Sequence, residues 1–121
     1  MIVFLVVLGG GAGALARFVL DEAARSRAAV SFPWPTVLIN VTGSLVLGFL
    51  VGLAVFGDAP TTAVLVSGTG FCGGYTTFST ASFETVRLLQ RGRYLAAAAN
   101  AFGTPLLAIG AGALGLLVAH W

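Results

Sequence analysis

Only six arginines and four carboxylates punctuate the 121 residues, and their positions leave uncharged blocks at residues 1–16, 28–57, 59–83 and 94–119. No other feature restricts the fold as severely. A helix that crosses the hydrocarbon core needs about 20 mostly apolar residues. The last three blocks are each long enough, and the first becomes so by borrowing Arg17 to Leu20. Lipid offers no hydrogen-bond partners, so each span must satisfy its own backbone, which helices do. The expectation is an all-α integral membrane protein, one domain over residues 1–121, with four transmembrane helices at about residues 2–20, 36–56, 61–89 and 94–119. A hydrophobic content of 58% and a mean hydropathy of +1.01 agree with that reading and leave almost no chain for a soluble domain. No basic stretch precedes the first apolar run, so it reads as a retained span and not as a secretory signal.

The positions of the charges also predict topology. In a four-span chain the first and third loops share a side, and Arg25, Arg27, Arg87, Arg91 and Arg93 lie in or beside them. The other side carries the N-terminal amine, Asp58 and His120. An excess of arginine marks the cytoplasmic side, which places both loops inside and both termini outside a cell membrane. The net charge of +2 is therefore topological and does not mark a nucleic-acid partner. Catalysis has little support, because there is no carboxylate pair at membrane depth, no metal-ligand spacing and no Ser/His/Asp set. Glu84 is the acid nearest the interior, and Arg87 at i+3 can pair with it. Cys72, the only cysteine, excludes an intrachain disulfide and reads as a small packing residue.

Within the third block, Gly68 to Glu84 (GTGFCGGYTTFSTASFE) sets four glycines against a run of hydroxyls. Glycine weakens helix and hydroxyls offer competing local bonds, so the helix should break, with its halves meeting near Gly73 to Thr77. Span 2 carries Asn40, Ser44, Gly48 and Gly52 at intervals of four, one face that is polar at one end and bare at the other. Asn100 and Thr104 share a face of span 4, and Pro105 should loosen the turn before it. Gly9 and Gly13 in span 1 allow close helix approach. Arg17, one turn later, reads either as an arginine snorkelling to the interface or as an anion-attracting residue at a pore mouth. Asn, Ser and Thr donors with aromatic edges favour an anion that must lose water, whereas unwound backbone carbonyls suit a hard cation such as Na⁺. Four helices are few to enclose a pore, so an oligomer is expected, with the glycine faces of spans 1 and 2 suited to its interfaces.

Three stretches, GGGAGALARF, PTVLINVTGSLVLGFL and GTGFCGGYTTFSTASFE, resemble in order and spacing the motif regions of the Fluc/CrcB family of small fluoride channels. The resemblance is close over spans 1 to 3 and loose over span 4. It implies a four-helix subunit with a broken third helix, paired as an antiparallel dimer with two fluoride pathways. It also implies a central structural Na⁺ at the dimer interface, held by the backbone carbonyls of Gly73 and Thr76 of each subunit. Asn40 matches the pathway asparagine, Arg17 the arginine near the vestibule and Phe78 the first phenylalanine of an aromatic box. Ser79 and Thr80 match hydroxyls that face the pathway, and Thr104 replaces a serine of the fourth helix. The activity implied is passive export of cytoplasmic fluoride that enters as HF and ionises inside.

Two departures point to a second, different subunit. The family commonly has TTFSTF, but Ala81 stands where the second phenylalanine would be, so this chain supplies half an aromatic box. Self-pairing in opposite orientations needs weak topological bias, yet five arginines favour one orientation. A heterodimer is therefore favoured over a homodimer. Two other readings stay open. A proton-coupled small multidrug-type exporter wants a carboxylate deep in a span, which span 1 does not have. For a nonconducting assembly subunit the glycine faces would suffice, and the hydroxyl cluster would be idle.

Overall fold

The structure, a computed structural model, describes residues 1–27 and 32–121, without the side chains of residues 25–27. The first part of the loop expected at Ala28–Pro35, up to residue 31, lies outside the described residues. In chain order the elements are α1 (Ile2–Arg27), α2 (Trp34–Phe56), α3 (Thr61–Val64), a π-helical run (Leu65–Cys72), α4 (Gly73–Tyr75), α5 (Phe78–Gln90), α6 (Tyr94–Ala98), a second π-helical run (Ala99–Gly103) and α7 (Thr104–His120). There is no strand among the described residues.

Three helical stretches, Ile2–Ala24, Trp34–Phe56 and Tyr94–His120, are long and apolar enough to cross a membrane. α1 carries on through Arg17 and past Leu20 to Arg27. α2 starts at Trp34, with Pro35 in the first turn, where a missing N–H removes no helical bond. The third apolar block is helical on both sides of a two-residue interruption at Thr76 and Thr77.

α2 packs most extensively against α7, and next comes α1 against the first π-helical run and α4. Both seams are glycine seams. A Cβ on Gly48 would overlap the backbone of Gly112, and one on Gly115 would overlap the Leu45 carbonyl. In the other seam a Cβ on Gly13 would overlap the Phe71 carbonyl and one on Gly74 the Gly10 carbonyl. Small residues let backbones approach in this way where lipid provides no hydrophobic drive. The glycine faces of the first two spans, expected to serve an oligomer, are thus occupied inside the subunit.

The end of α5 is closed by Gly92 in the left-handed region at φ 73°, with Gly92 N–H donating to Leu89 at 3.0 Å and Arg93 N–H to Leu88 at 2.9 Å. That pair of bonds is a Schellman ending, which reverses the chain within a few residues. The turn brings Arg93 and Tyr94 beside Phe32, which precedes α2. At the opposite end of α2 the Phe56 ring meets His120 edge-on, with centroids 4.8 Å apart. The start of α2 and the third connection therefore share one end of the subunit, and the end of α2 and the C-terminus share the other.

Candidate functional site

The interruption between α4 and α5 is where backbone, side chains and cavity meet. Thr76 (φ −80°, ψ 156°) and Thr77 (φ −147°, ψ 118°) are both extended. The Thr76 N–H and hydroxyl both donate to the Cys72 carbonyl, each at 2.9 Å, which closes the helix before the break. Thr77 opens the helix after it, its Oγ1 accepting the Thr80 N–H at 3.1 Å as an N-cap. The peptide groups of Thr77 itself are taken by a side chain from another helix. Asn40 Nδ2 donates to the Thr77 carbonyl at 2.9 Å, and Asn40 Oδ1 accepts the Thr77 N–H at 2.8 Å.

Beside this junction lies a cleft of about 580 Å³. Its polar lining is Asn40, Ser44, Thr76, Thr77, Ser82, Thr85, Asn100 and Thr104, and its apolar lining includes Phe78, Ala81 and Pro105. No charged side chain lines it among the described residues. One wall is a closed hydrogen-bond network around Asn100, which is 1% exposed. Asn100 Nδ2 donates to Thr85 Oγ1 at 2.8 Å and to the Ala81 carbonyl at 3.2 Å, while Asn100 Oδ1 accepts from Thr104 at 2.9 Å. The Thr85 hydroxyl in turn donates to Ala81 at 2.9 Å. The hydroxyl protons of Thr85 and Thr104 are thereby committed. The hydroxyls of Ser44 and Ser82 donate no hydrogen bond among the described residues, and Asn40 uses one of its two Nδ2 hydrogens there. Those three groups, with the Thr77 hydroxyl, whose proton has no nearer partner among the described residues than Ser79 at 3.5 Å, are donors the cleft can offer a guest.

The site therefore gathers Asn40, Thr76, Phe78 and Thr104 from the expected set and leaves others outside its lining. Ser79 is exposed, 3.5 Å from Thr77 Oγ1, and Thr80 contributes its N–H to the cap. Arg17 is half-buried on α1, away from the cleft lining. Gly73 is exposed beside the break, and a Cβ there would meet nothing within 4 Å. Its carbonyl would accept the Thr77 N–H in a continuous helix, but that proton goes to Asn40. Besides Ser44, Thr77 and Asn100, the polar lining outside the expected set includes Ser82, from the hydroxyl run, and Thr85. Their spacing of three on α5 was the available signal. Glu84, expected to pair with Arg87, accepts from the Thr36 hydroxyl at the start of α2, and the Arg87 guanidinium lies 5.9 Å from the centre of the Phe83 ring.

A family model described as CrcB-like protein, Camphor Resistance (CrcB), matches residues 4–116. The chain is 53% identical over 116 residues to the fluoride-specific ion channel FluC 1 of Leifsonia xyli subsp. xyli, an alignment covering 96% of this chain and 85% of that protein. It is 45% identical over 121 residues to FluC 1 of Frankia casuarinae, covering 96% and 94% of the two chains. To the FluC of Pyrococcus furiosus it is 44% identical over 119 residues, covering 98% and 95%. With its motifs in place, a family match along almost its whole length and helices able to cross a membrane several times, this chain is a multi-pass membrane protein of the CrcB family.

Proposed function

We propose that the chain is a subunit of a fluoride-selective channel through which cytoplasmic fluoride leaves passively. The observation that carries this reading is the uncharged cleft at the helix break, with uncommitted donors on Asn40, Ser44 and Ser82 and the Phe78 ring beside them. Neutral O–H and N–H donors and the positive edge of an aromatic ring replace the water an anion sheds. Without a fixed cation in the wall, a bound anion can also leave, which conduction requires. The relatives' name as fluoride-specific ion channels points to the same ion.

Phe78 is 84% exposed in the single subunit, so a second subunit has surface here to cover. An antiparallel dimer of four-span subunits, with two pathways, meets that need. A Na⁺ at the interface fits the donor set, since the Gly73 carbonyl is deprived of its helical donor and Gly73 faces open space. Gly73 and Thr76 carbonyls from both subunits would hold it, and the ion would tie the two broken helices together. Ala81 lines the cleft without an aromatic ring, which favours a partner subunit that supplies one. The arginine-rich connections favour an orientation with both termini outside, and the partner would have the opposite bias.

The test is fluoride efflux from liposomes, recorded by electrode, for this chain alone and with a homologous subunit of opposite bias. Robust efflux from the chain alone, as an antiparallel homodimer, would sink the heterodimer. Replacing Phe78 with isoleucine should cut flux about tenfold, the kinetic equivalent of an aromatic contact worth about 1.4 kcal/mol. Unchanged flux would remove Phe78 from the pathway.

A further inference from the structure

We propose that Asn40 is the positioning residue that keeps the third helix open, so that one side chain serves both the ion cleft and the cation-binding carbonyls; the cation half rests on the Na⁺ reading above. The argument begins with the direction of peptide groups. In a helix the N–H and C=O of one residue point to opposite ends of the axis, and no single side-chain amide can bridge both. In an extended residue they point to the same side, as in the paired residues of an antiparallel ladder that exchange both bonds. Thr77 is extended, and Asn40 takes its N–H at 2.8 Å and its C=O at 2.9 Å. The double bond is therefore available only to the broken form, and it biases the chain toward that form.

The competing state is equally specific. If Thr77 were helical, its N–H would return to the Gly73 carbonyl, four residues back. Thr77 is 8% exposed and Asn40 is 9% exposed, so the Thr77 peptide can reach water only through the cleft that both residues line, and an apolar side chain of similar volume at position 40 would stand in that path. A buried peptide group without a partner is costly, which drives Thr77 back toward the helix once Asn40 is lost. That return would consume the Gly73 oxygen. Asn40 thus keeps Gly73 free for a cation while its second Nδ2 hydrogen faces the cleft chemistry.

Two variants of the full chain separate this role from a purely cleft-lining one. Asn40→Leu keeps approximate volume and removes both bonds, whereas Asn40→Gln keeps a carboxamide with both the acceptor for the Thr77 N–H and the donor for its carbonyl. The readouts are the backbone ¹³C shifts of Thr77 and the rise in thermal midpoint in micelles when Na⁺ replaces N-methylglucamine. Wild type should show extended Thr77 shifts and a Na⁺-dependent rise. Asn40→Leu should move Thr77 to helical shifts and abolish the rise; extended shifts with an intact rise would overturn the proposal. Asn40→Gln should keep both features, and helical Thr77 shifts there would overturn the proposal even if the leucine variant does not fold. A wild type with no Na⁺-dependent rise would overturn the coupling. Fluoride flux enters none of these readouts, so a wild type that passes no fluoride would defeat the channel reading alone.

Discussion

The two π-helical runs widen the helix in the same way but for opposite reasons. Leu65–Cys72 lies along α1, where Gly9, Gly13, Gly70 and Gly74 bring two backbones into contact. Ala99–Gly103 lies beside the cleft, where Asn100 inside the run bonds to α5 and to Thr104, and where Pro105 has no N–H to give the turn before it. The first run is shaped by the absence of side chains and the second by the bonds of one. Departures of this kind recur at functional sites. Here the pair shows how they are divided: a backbone-packed seam holds the scaffold, and a hydrogen-bonded one shapes the cleft.

The sharpest way to break that division is to add a methyl group to the backbone seam. Gly13→Ala would drive its Cβ into the Phe71 carbonyl, and neither helix can yield without moving the break. A loss of about 3 kcal/mol is expected, measured by unfolding in micelles, at the upper end for overpacking. A loss below about 0.5 kcal/mol would show that the seam is loose and that glycine is not what shapes it. The hydrogen-bonded seam should be softer. Asn100→Ala takes the acceptor from the Thr104 hydroxyl and unties α5 from the second π-helical run, although the Thr85 hydroxyl keeps its bond to the Ala81 carbonyl, and the expected cost is about 1–2 kcal/mol. If Asn100→Ala cost more than Gly13→Ala, the assignment of scaffold and cleft would be reversed.

This contrast also explains what could be read from the sequence. The charge-free blocks and the glycine–hydroxyl stretch around Gly73 to Thr77 dictated helices and a break, because lipid and backbone hydrogen bonding leave few alternatives. The glycine faces announced close approach but not the partner, since a small residue accepts any backbone; Gly48 meets Gly112 of its own subunit. Asn40 and Asn100 were visible as polar residues on helix faces. Their bonds to Thr77 and to Ala81 and Thr85 were not, because these pairs are 37, 19 and 15 residues apart. Glu84 illustrates the same limit: local spacing points to Arg87, and a bond it makes to Thr36, 48 residues away, has no local signal. The π-helical runs had no signature, because one extra residue per turn follows from packing and not from a repeat.

The smallest effect should come from glycines that neither seam uses. A Cβ on Gly11 of α1 meets nothing within 4 Å, although Gly11 sits only two residues from Gly13. Alanine at this position gains helix propensity worth up to about 1 kcal/mol and meets no neighbour in the subunit, so Gly11→Ala should leave micelle stability unchanged or slightly raised. Gly103 has the same open surroundings at the end of the second π-helical run. Gly103→Ala should be equally benign, because that run depends on the bonds of Asn100 and not on bare backbone. A destabilisation of Gly103→Ala comparable to that of Gly13→Ala would mean that both runs are backbone-packed, and the distinction between them would collapse. If Gly11→Ala instead impaired assembly while the subunit stayed stable, the open face of α1 would be identified as covered by the second subunit.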